Sequence, residues 1–208
     1  MSSLTPSSLR TCTTSRAYHT QNIPGLTLTE MLIVLVVLGF LVSMAGPSFQ
    51  PLVKKYQQGS VVNQFQAQLN LARHTAITKG VPVTVCPRHV SESERCGKRN
   101  MWHQGTFMFE DINRNRKLDG EDATVLSSPA LKRTRIAWRA FRNRSYLQFN
   151  PSGITDWQNG HFLFCPVDAD PVLNRQLVLN YAGRIYISKD ADGDGIHEDV
   201  RGKPLECA

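Results

Sequence analysis

No catalytic signature is present in this sequence: it contains no G-x-S-x-G, no H-E-x-x-H and no P-loop, and its six histidines are scattered along the chain. Those absences remove the common hydrolase, metalloprotease and nucleotide-hydrolase designs, and the chain reads as non-enzymatic. No C-x-x-C spacing occurs, which argues against the usual zinc frameworks. There is no internal repeat, no flexible linker and no disorder-scale bias in composition. A chain of 208 residues then amounts to one compact domain, or to a small domain with an appendage. Two local absences are more informative still: residues 1–25 hold no acidic group, and residues 31–46 hold no charge at all.

Residues 1–25 are rich in Ser and Thr and show no apolar periodicity, so they read as a leader and not as fold. The formal charge of the whole chain is +7. Setting aside Arg10 and Arg16 of the leader leaves 22 basic against 17 acidic residues, a surplus of five that mildly favours anionic partners. The same cut removes Cys12 and leaves Cys86, Cys96, Cys165 and Cys207, an even set that suits disulfides in an oxidising compartment. Three pairings are open. Cys86 with Cys96 brackets one short polar loop and Cys165 with Cys207 staples the C-terminus, which favours that combination.

From Met31 to Gly46 the run is Met-Leu-Ile-Val-Leu-Val-Val-Leu-Gly-Phe-Leu-Val-Ser-Met-Ala-Gly. With Leu26 to Glu30 it reaches the roughly 20 residues that cross a bilayer as a helix. Glu30 is the anomaly, since a carboxylate near a helix centre costs about 2.5–3.5 kcal/mol on insertion scales and less near an end. Locally, Thr27-Leu28-Thr29-Glu30 fits a capping box, and an acid suits the first turn of a helix. Ser43-Met44-Ala45 resembles a secretory cleavage site, but the basic residues lie far upstream and an acid abuts the apolar run, unlike that design. Pro47 removes an amide donor and predicts a bend eased by Gly46, with Pro51 repeating the disturbance one turn later. Beyond it, Val61, Val62, Phe65, Leu69, Ala72 and Ala76 recur at three- and four-residue steps, with Lys54, Lys55, Gln57, Gln64, Gln68 and Arg73 largely between them. That periodicity predicts an amphipathic helix, which Gly80 and Pro82 end at about Lys79.

After Gly80 the pattern changes to short β-rich runs between turn residues: 81–86, 106–109, 124–127, 135–141, 146–149, 161–165, 176–179 and 184–188. The spacings are too short for βαβ crossovers. An α+β fold follows, in which antiparallel sheets pack on the amphipathic helix.

Gly25-Leu26-Thr27-Leu28-Thr29-Glu30 ahead of the apolar run resembles the prepilin signature of type IV pilins and type II secretion pseudopilins. The resemblance implies that a prepilin peptidase cuts after Gly25 on the cytoplasmic side and methylates Leu26, which stands where the family usually has Phe. It places Glu30 at the family's near-invariant glutamate and Pro47 at its helix-kinking proline. A carboxylate is tolerable in a water-excluded fibre core if a cation neutralises it, and the α-amino group of a neighbouring subunit's Leu26 is such a cation. Val83 to Pro87, Cys96, Trp102, Gly105, the Asp-rich turn at 111–122, Phe149-Asn150-Pro151-Ser152-Gly153 and Phe164-Cys165 follow in the order seen in the GspH/FimT group of minor pilins, including FimU-like members. The implied fold is that of a type IV pilin, a long hydrophobic N-terminal helix carrying an antiparallel β head. The implied organisation is a cleaved leader over 1–25, a transmembrane and fibre-core helix over 26–47, and an amphipathic helix half plus β head over 48–208. The implied location is the bacterial inner membrane, single-pass with the head in the periplasm, and then a pilus or pseudopilus. The implied partners are other pilins or pseudopilins, the prepilin peptidase and the inner membrane.

Two further patterns carry chemistry. Asp190-Ala191-Asp192-Gly193-Asp194-Gly195 matches the opening of a calcium loop, with the Ile196 carbonyl and Glu198 or Asp199 as later ligands and Arg201 where the twelfth-position Glu belongs. Asp190, Asp192, Asp194 and Glu198 are the candidate ligands; no other cofactor is expected. Asp111, Asn113, Asn115, Asp119 and Asp122 have similar spacing, with Arg116 where glycine is wanted. Lys132, Arg133, Arg135, Arg139, Arg142 and Arg144 interleave with Trp138 and Phe141, a composition suited to gripping phosphates and stacking bases. Some FimT-like pilins bind DNA through a Gly-Arg-x-Arg motif, and Gly183-Arg184-Ile185-Tyr186 here lacks the second arginine. Arg135, Arg139, Arg142 and Arg184 are the candidate DNA contacts, which makes a competence pilin the alternative to a structural subunit. The start site is directly testable: Gly25→Ala should leave the leader uncut when the peptidase is co-expressed. An unchanged electrophoretic pattern against wild type would count against cleavage at that bond.

Overall fold

A computed structural model describes residues 25–45, 49–89 and 95–207. The expected leader, apart from Gly25, and the expected bend at Pro47 lie outside the described residues. The chain divides into two compact units, Met1–Pro47 and Ser48–Ala208.

In the first unit, α1 spans Leu28–Ala45, 18 residues. Its start is a capping box: the Glu30 amide donates to Thr27 Oγ1 at 3.3 Å, and the Thr27 amide donates back to Glu30 Oε2 at 2.9 Å. The side chains of residues 25–43 are all exposed. Among the described residues no helix is long and apolar enough to cross a membrane. At 1.5 Å per residue α1 is roughly 27 Å long, against about 30 Å of bilayer hydrocarbon.

In the second unit, α2 spans Gln50–Lys79 and ends where Gly80 turns left-handed, φ 68°, and donates its amide to the Ala76 carbonyl at 3.1 Å. Pro51 corrects the expectation of a second break. It sits in the first turn of α2, where an amide donor has no helical partner to lose and the proline φ is already helical. The buried stripe is Val62, Phe65, Leu69, Ala72 and Ala76, joined by the polar Gln58 and Thr75, with Val61 packed partly buried beside it. Gln58 is admitted because its amide is used: Thr134 Oγ1 donates to Oε1 at 2.8 Å, and Nε2 reaches the Phe164 carbonyl at 3.5 Å.

Eight strands follow: β1 Val83–Pro87, β2 Thr106–Glu110, β3 Thr124–Ser128, β4 Thr134–Ala140, β5 Leu147–Phe149, β6 Gly160–Pro166, β7 Arg175–Leu179 and β8 Ile185–Ile187. Each lies within two residues of its expected run. They form two four-stranded antiparallel sheets, ordered β3-β2-β1-β5 and β4-β6-β7-β8. The fold class is α+β. One core joins the α2 stripe to both sheets through Val83, Val85, Met108, Ile136, Leu147, Phe149, Phe164 and Leu177. At its centre Trp138 stacks on Phe162, centroids 4.1 Å apart, while Phe65 and Trp102 meet Phe162 edge-on at 4.8 and 4.9 Å. Burying a large apolar side chain is worth about 1.5–3 kcal/mol. The exposed pair Lys54–Asp168 that rims α2, at 2.6 Å, is screened by solvent and contributes little by comparison. Apolar burial therefore decides how the helix seats.

Beyond β8, residues 189–207 fold back over the outer face of the second sheet. On β6, Phe162 and Phe164 point to the core, so His161, Leu163 and Cys165 face the other way, and Leu163 is nevertheless buried. Leu205 is buried there, its amide donating to the His197 carbonyl at 3.0 Å and its carbonyl accepting from Asn174 Nδ2 at 2.8 Å. A disulfide joins Cys165 to Cys207, Cα atoms 5.8 Å apart. Two histidines belong to this layer. Burial holds His161 below the ordinary histidine range, helped by Arg139 and opposed by Asp199. Burial likewise depresses His197, helped by Arg175 and opposed by its hydrogen bond to Ser188 and by Asp190 and Glu198. Because the folded state takes up protons less readily than the unfolded chain, this contribution is present above about pH 6.5 and is lost as pH falls below it. The thermal midpoint should therefore drop between pH 7.5 and 5.5, and less so in the double variant His161→Gln, His197→Gln. An unchanged midpoint in wild type would contradict the linkage. Asp168 and Asp199, whose pKa values are lowered by Lys54 and by the Lys203 and Arg201 amides respectively, act only below about pH 4.

Candidate functional site

The acidic loop between β8 and the C-terminus gathers the residues expected of it. Glycines at 193 and 195, φ 83° and 92°, let the backbone curl so that its amides point inward. Asp190 accepts from the Gly193 and Gly195 amides at 2.7 and 2.9 Å, Asp192 from Asp194 at 3.2 Å, and Asp194 from Ile196 at 2.7 Å. Glu198 folds under the loop, buried, with Oε2 accepting from the Ala191 amide at 2.8 Å. One ligand atom from each of Asp190, Asp192, Asp194 and Glu198 lies within 4.8 Å of the others. Oxygens on opposite sides of a calcium ion are about 4.6–5.2 Å apart, so the cluster has suitable dimensions. Asp199 is not part of it; its carboxylate accepts from the Arg201 and Lys203 amides. Arg175, on the neighbouring strand, is mostly buried and donates to the Val172 and Asn174 carbonyls, both at 2.7 Å. Burial lowers its pKa and Asp190 raises it again.

The second acidic turn is organised differently. Asp111 is fully buried and its carboxylate is taken up by Thr84 Oγ1 at 2.7 Å, Gln148 Nε2 at 2.8 Å and the Arg116 amide at 3.2 Å. A buried carboxylate needs such donors to be tolerated. Arg116 does adopt the left-handed backbone expected of a glycine there, φ 63°. Asn113 and Asn115 donate their amides to Asp119, and Asp122 accepts from Ile112 and Asp119. The turn is thus held by protein donors to its own carboxylates.

The basic residues do not form one surface. Arg135 and Arg139 point outward from β4, an edge strand of the second sheet, and Arg142 is exposed just beyond it. Arg184 precedes β8 on the opposite edge, three strand spacings or about 14 Å away. Trp138, expected to interleave with these cations, is buried at the core, because β4 alternates and its even-numbered positions face inward. Phe141 remains exposed. Arg144 is tied to Tyr146, donating to its hydroxyl at 2.6 Å, and Arg116 lies over the same ring at 5.2 Å.

Cys86 and Cys96 are joined by a disulfide, Cα atoms 5.0 Å apart, beside the small cluster of Phe107 and Phe109. Gly25 and Leu26 are exposed, and Glu30 opens α1 as described above. Sequence reasoning missed Arg73, which reads as a polar-face residue but donates from Nε to the Gly153 carbonyl at 2.8 Å and from Nη2 to the Ala182 carbonyl at 3.2 Å. It also missed the exposed ring pair of Trp157 and Tyr181. An arginine whose partners lie 80 and 109 residues away, and two aromatics in separate loops, leave no periodic signal.

The family model described as "Type II transport protein GspH" matches residues 61–183, more than half of the chain. Among solved structures, the type IV minor pilin FimU of Pseudomonas aeruginosa (strain PAO1) is similar at 15% identity with a TM-score of 0.47, covering 67% of this chain and 93% of that one. The minor pseudopilin EpsH from the type 2 secretion system of Vibrio cholerae is similar at 12% identity with a TM-score of 0.46, covering 62% and 94%. A search of curated proteins returned no match.

Proposed function

The chain belongs to the GspH family of type II transport proteins, and from that premise we propose that it is a non-enzymatic structural subunit, a minor pilin or pseudopilin that helps to assemble a type IV pilus or a type II secretion pseudopilus. The observation that carries the proposal is α1: twelve consecutive residues from Met31 to Val42 without a charge, their side chains exposed. Soluble monomers rarely leave so large an apolar surface uncovered. Lipid covers it before assembly and the helices of other subunits cover it afterwards. Residues 26–47 are then the inner-membrane anchor, with α1 its described part and the head in the periplasm, where an oxidising milieu suits both disulfides. Gly25 and Leu26 are the bond that the prepilin peptidase cuts and the new N-terminus that it methylates.

Glu30 is the assembly residue. Within one chain its Oε2 is occupied by the Thr27 amide and hydroxyl, an arrangement that suffices where water is near. In a fibre core the charge itself needs a cation, which the α-amino group of a neighbour's Leu26 supplies, setting the register between subunits. Nothing in the placement of Arg135, Arg139, Arg142 and Arg184 on two opposite sheet edges favours a DNA-binding competence pilin. The acidic loop is a separate feature of the head, and calcium is the cation that its four carboxylates suit.

Glu30→Ala should reach the membrane yet enter sheared fibres poorly, as read by immunoblot of the fibre fraction; normal incorporation would contradict the pairing role. For the loop, calorimetric titration of the protein with calcium chloride should show one saturable site, weakened at least tenfold by Asp192→Asn with Asp194→Asn. Equal heats from wild type and variant would remove the calcium assignment.

A further inference from the structure

We propose that the exposed Trp157–Tyr181 pair is the docking surface for a different, more acidic pilin-type subunit, one that presents an apolar side chain beside a carboxylate. The inference rests on the assembly function proposed above and names the head surface through which it acts.

Trp157 is 56% exposed and Tyr181 44%, their ring centroids 5.3 Å apart at a tilt of 50°. The other two tryptophans, Trp102 and Trp138, are buried in the core, so this one is out of place by the ordinary logic of burial. It is also held in an unfavourable backbone conformation, φ 57°, in the left-handed region that bulky residues avoid. Such strain persists only where the surroundings enforce it. Here they do. The next residue, Gln158, is buried and accepts from the Gln148 amide at 2.7 Å. Thr155, fully buried, donates its amide to the Tyr181 carbonyl at 3.1 Å, which links the two loops that carry the rings. Arg73 holds the same two loops from α2 through the Gly153 and Ala182 carbonyls. Gly183, φ 74°, packs so closely on Gly153 that a Cβ would collide with the Gly153 carbonyl oxygen. Two loops distant in sequence are thereby made into one rigid support.

A rigid, solvent-facing tryptophan and tyrosine are what binding hot spots are made of, since little order has to be imposed on association. Ile77, 47% exposed on the last turns of α2, lies where it would touch a Cβ at Gly153 and so extends the apolar surface toward the helix. Arg184 closes the turn that holds Tyr181; it is exposed and has no ion pair among the described residues. An apolar contact against the rings with a carboxylate on the guanidinium is the matching chemistry. The chain itself is basic, with 24 Lys and Arg against 17 Asp and Glu. A second copy is therefore a poor electrostatic match, and a different subunit of acidic character is the better one.

The test uses the full chain in cells that build the fibre, with p-benzoylphenylalanine placed at position 181 and, separately, the substitution Trp157→Asn. Asparagine tolerates the left-handed backbone, so the loop keeps its shape while the indole is lost. An adduct formed on illumination and identified by peptide mass spectrometry as another subunit with a prepilin-type N-terminal helix is the expected result. With that subunit purified, Trp157→Asn should weaken association about 30-fold while leaving the melting temperature unchanged. The inference is overturned if wild type and Trp157→Asn enter fibres and bind that subunit equally, or if the adduct is with lipid, nucleic acid or a second copy of this chain. Failure of the assembly function looks different: wild type itself would be absent from the fibre, whatever stands at position 157.

Discussion

One helix face covers two sheets that share no strand. The stripe of Val62, Phe65, Leu69, Ala72 and Ala76 on α2 shares one core with residues of both sheets. A sheet gains independent stability from a hydrophobic face or a helix packed against it, and here α2 is that helix for both sheets. Phe65 therefore meets Phe162 and Phe164 of the second sheet and Trp102 of the β1–β2 connection at once. The remaining features of the head are arranged around that shared wall.

Several polar side chains of α2 that cross or border the wall bond to the sheets and loops around it. Gln58 bonds across to Thr134. Gln68 accepts from Thr106 at 3.2 Å, and Gln66 donates to the Ile185 carbonyl at 3.3 Å. Arg73 fixes two distant loops. These bonds contribute modestly when made, about 0.5–1.5 kcal/mol each, and loss of the buried Gln58–Thr134 bond would leave a buried group unsatisfied at greater cost. They consequently select one seating of the helix more than they add to its stability. The outer faces are closed by other means: Cys96, Leu118, Tyr146 and the Cys86–Cys96 disulfide pack on the first sheet around Phe107 and Phe109, and the C-terminal segment, tied by Cys165–Cys207, covers the second.

The two acidic turns illustrate how similar sequence spacing reaches different ends. At 190–198 glycines supply the left-handed positions, and one carboxylate oxygen from each of Asp190, Asp192, Asp194 and Glu198 lies within 4.8 Å of the others. At 111–122 the first aspartate is drawn beneath the sheet by Thr84 and Gln148, and its neighbours bond among themselves. The difference lies in what the adjoining strands offer. β1 and β5 present side-chain donors to Asp111, whereas the layer beneath the second loop presents Glu198, itself an acid.

Local pattern was enough to specify the elements. A 3.6-residue period marks the buried stripe of α2, Gly80 marks its end, and eight β-rich runs become eight strands, because helix faces, caps and strands are set by residues close in sequence. The convergence of Asp190, Asp192, Asp194 and Glu198 was legible for the same reason: all four lie within nine residues. Pro51 was misread because its effect depends on where the helix begins, and Trp138 because its side of β4 depends on which face meets α2. The clamp made by Arg73, the burial of Asp111 and the pairing of Trp157 with Tyr181 were invisible in the linear chain. Each joins groups tens of residues apart, and such contacts exist only once packing has brought the two loops or strands to the same place.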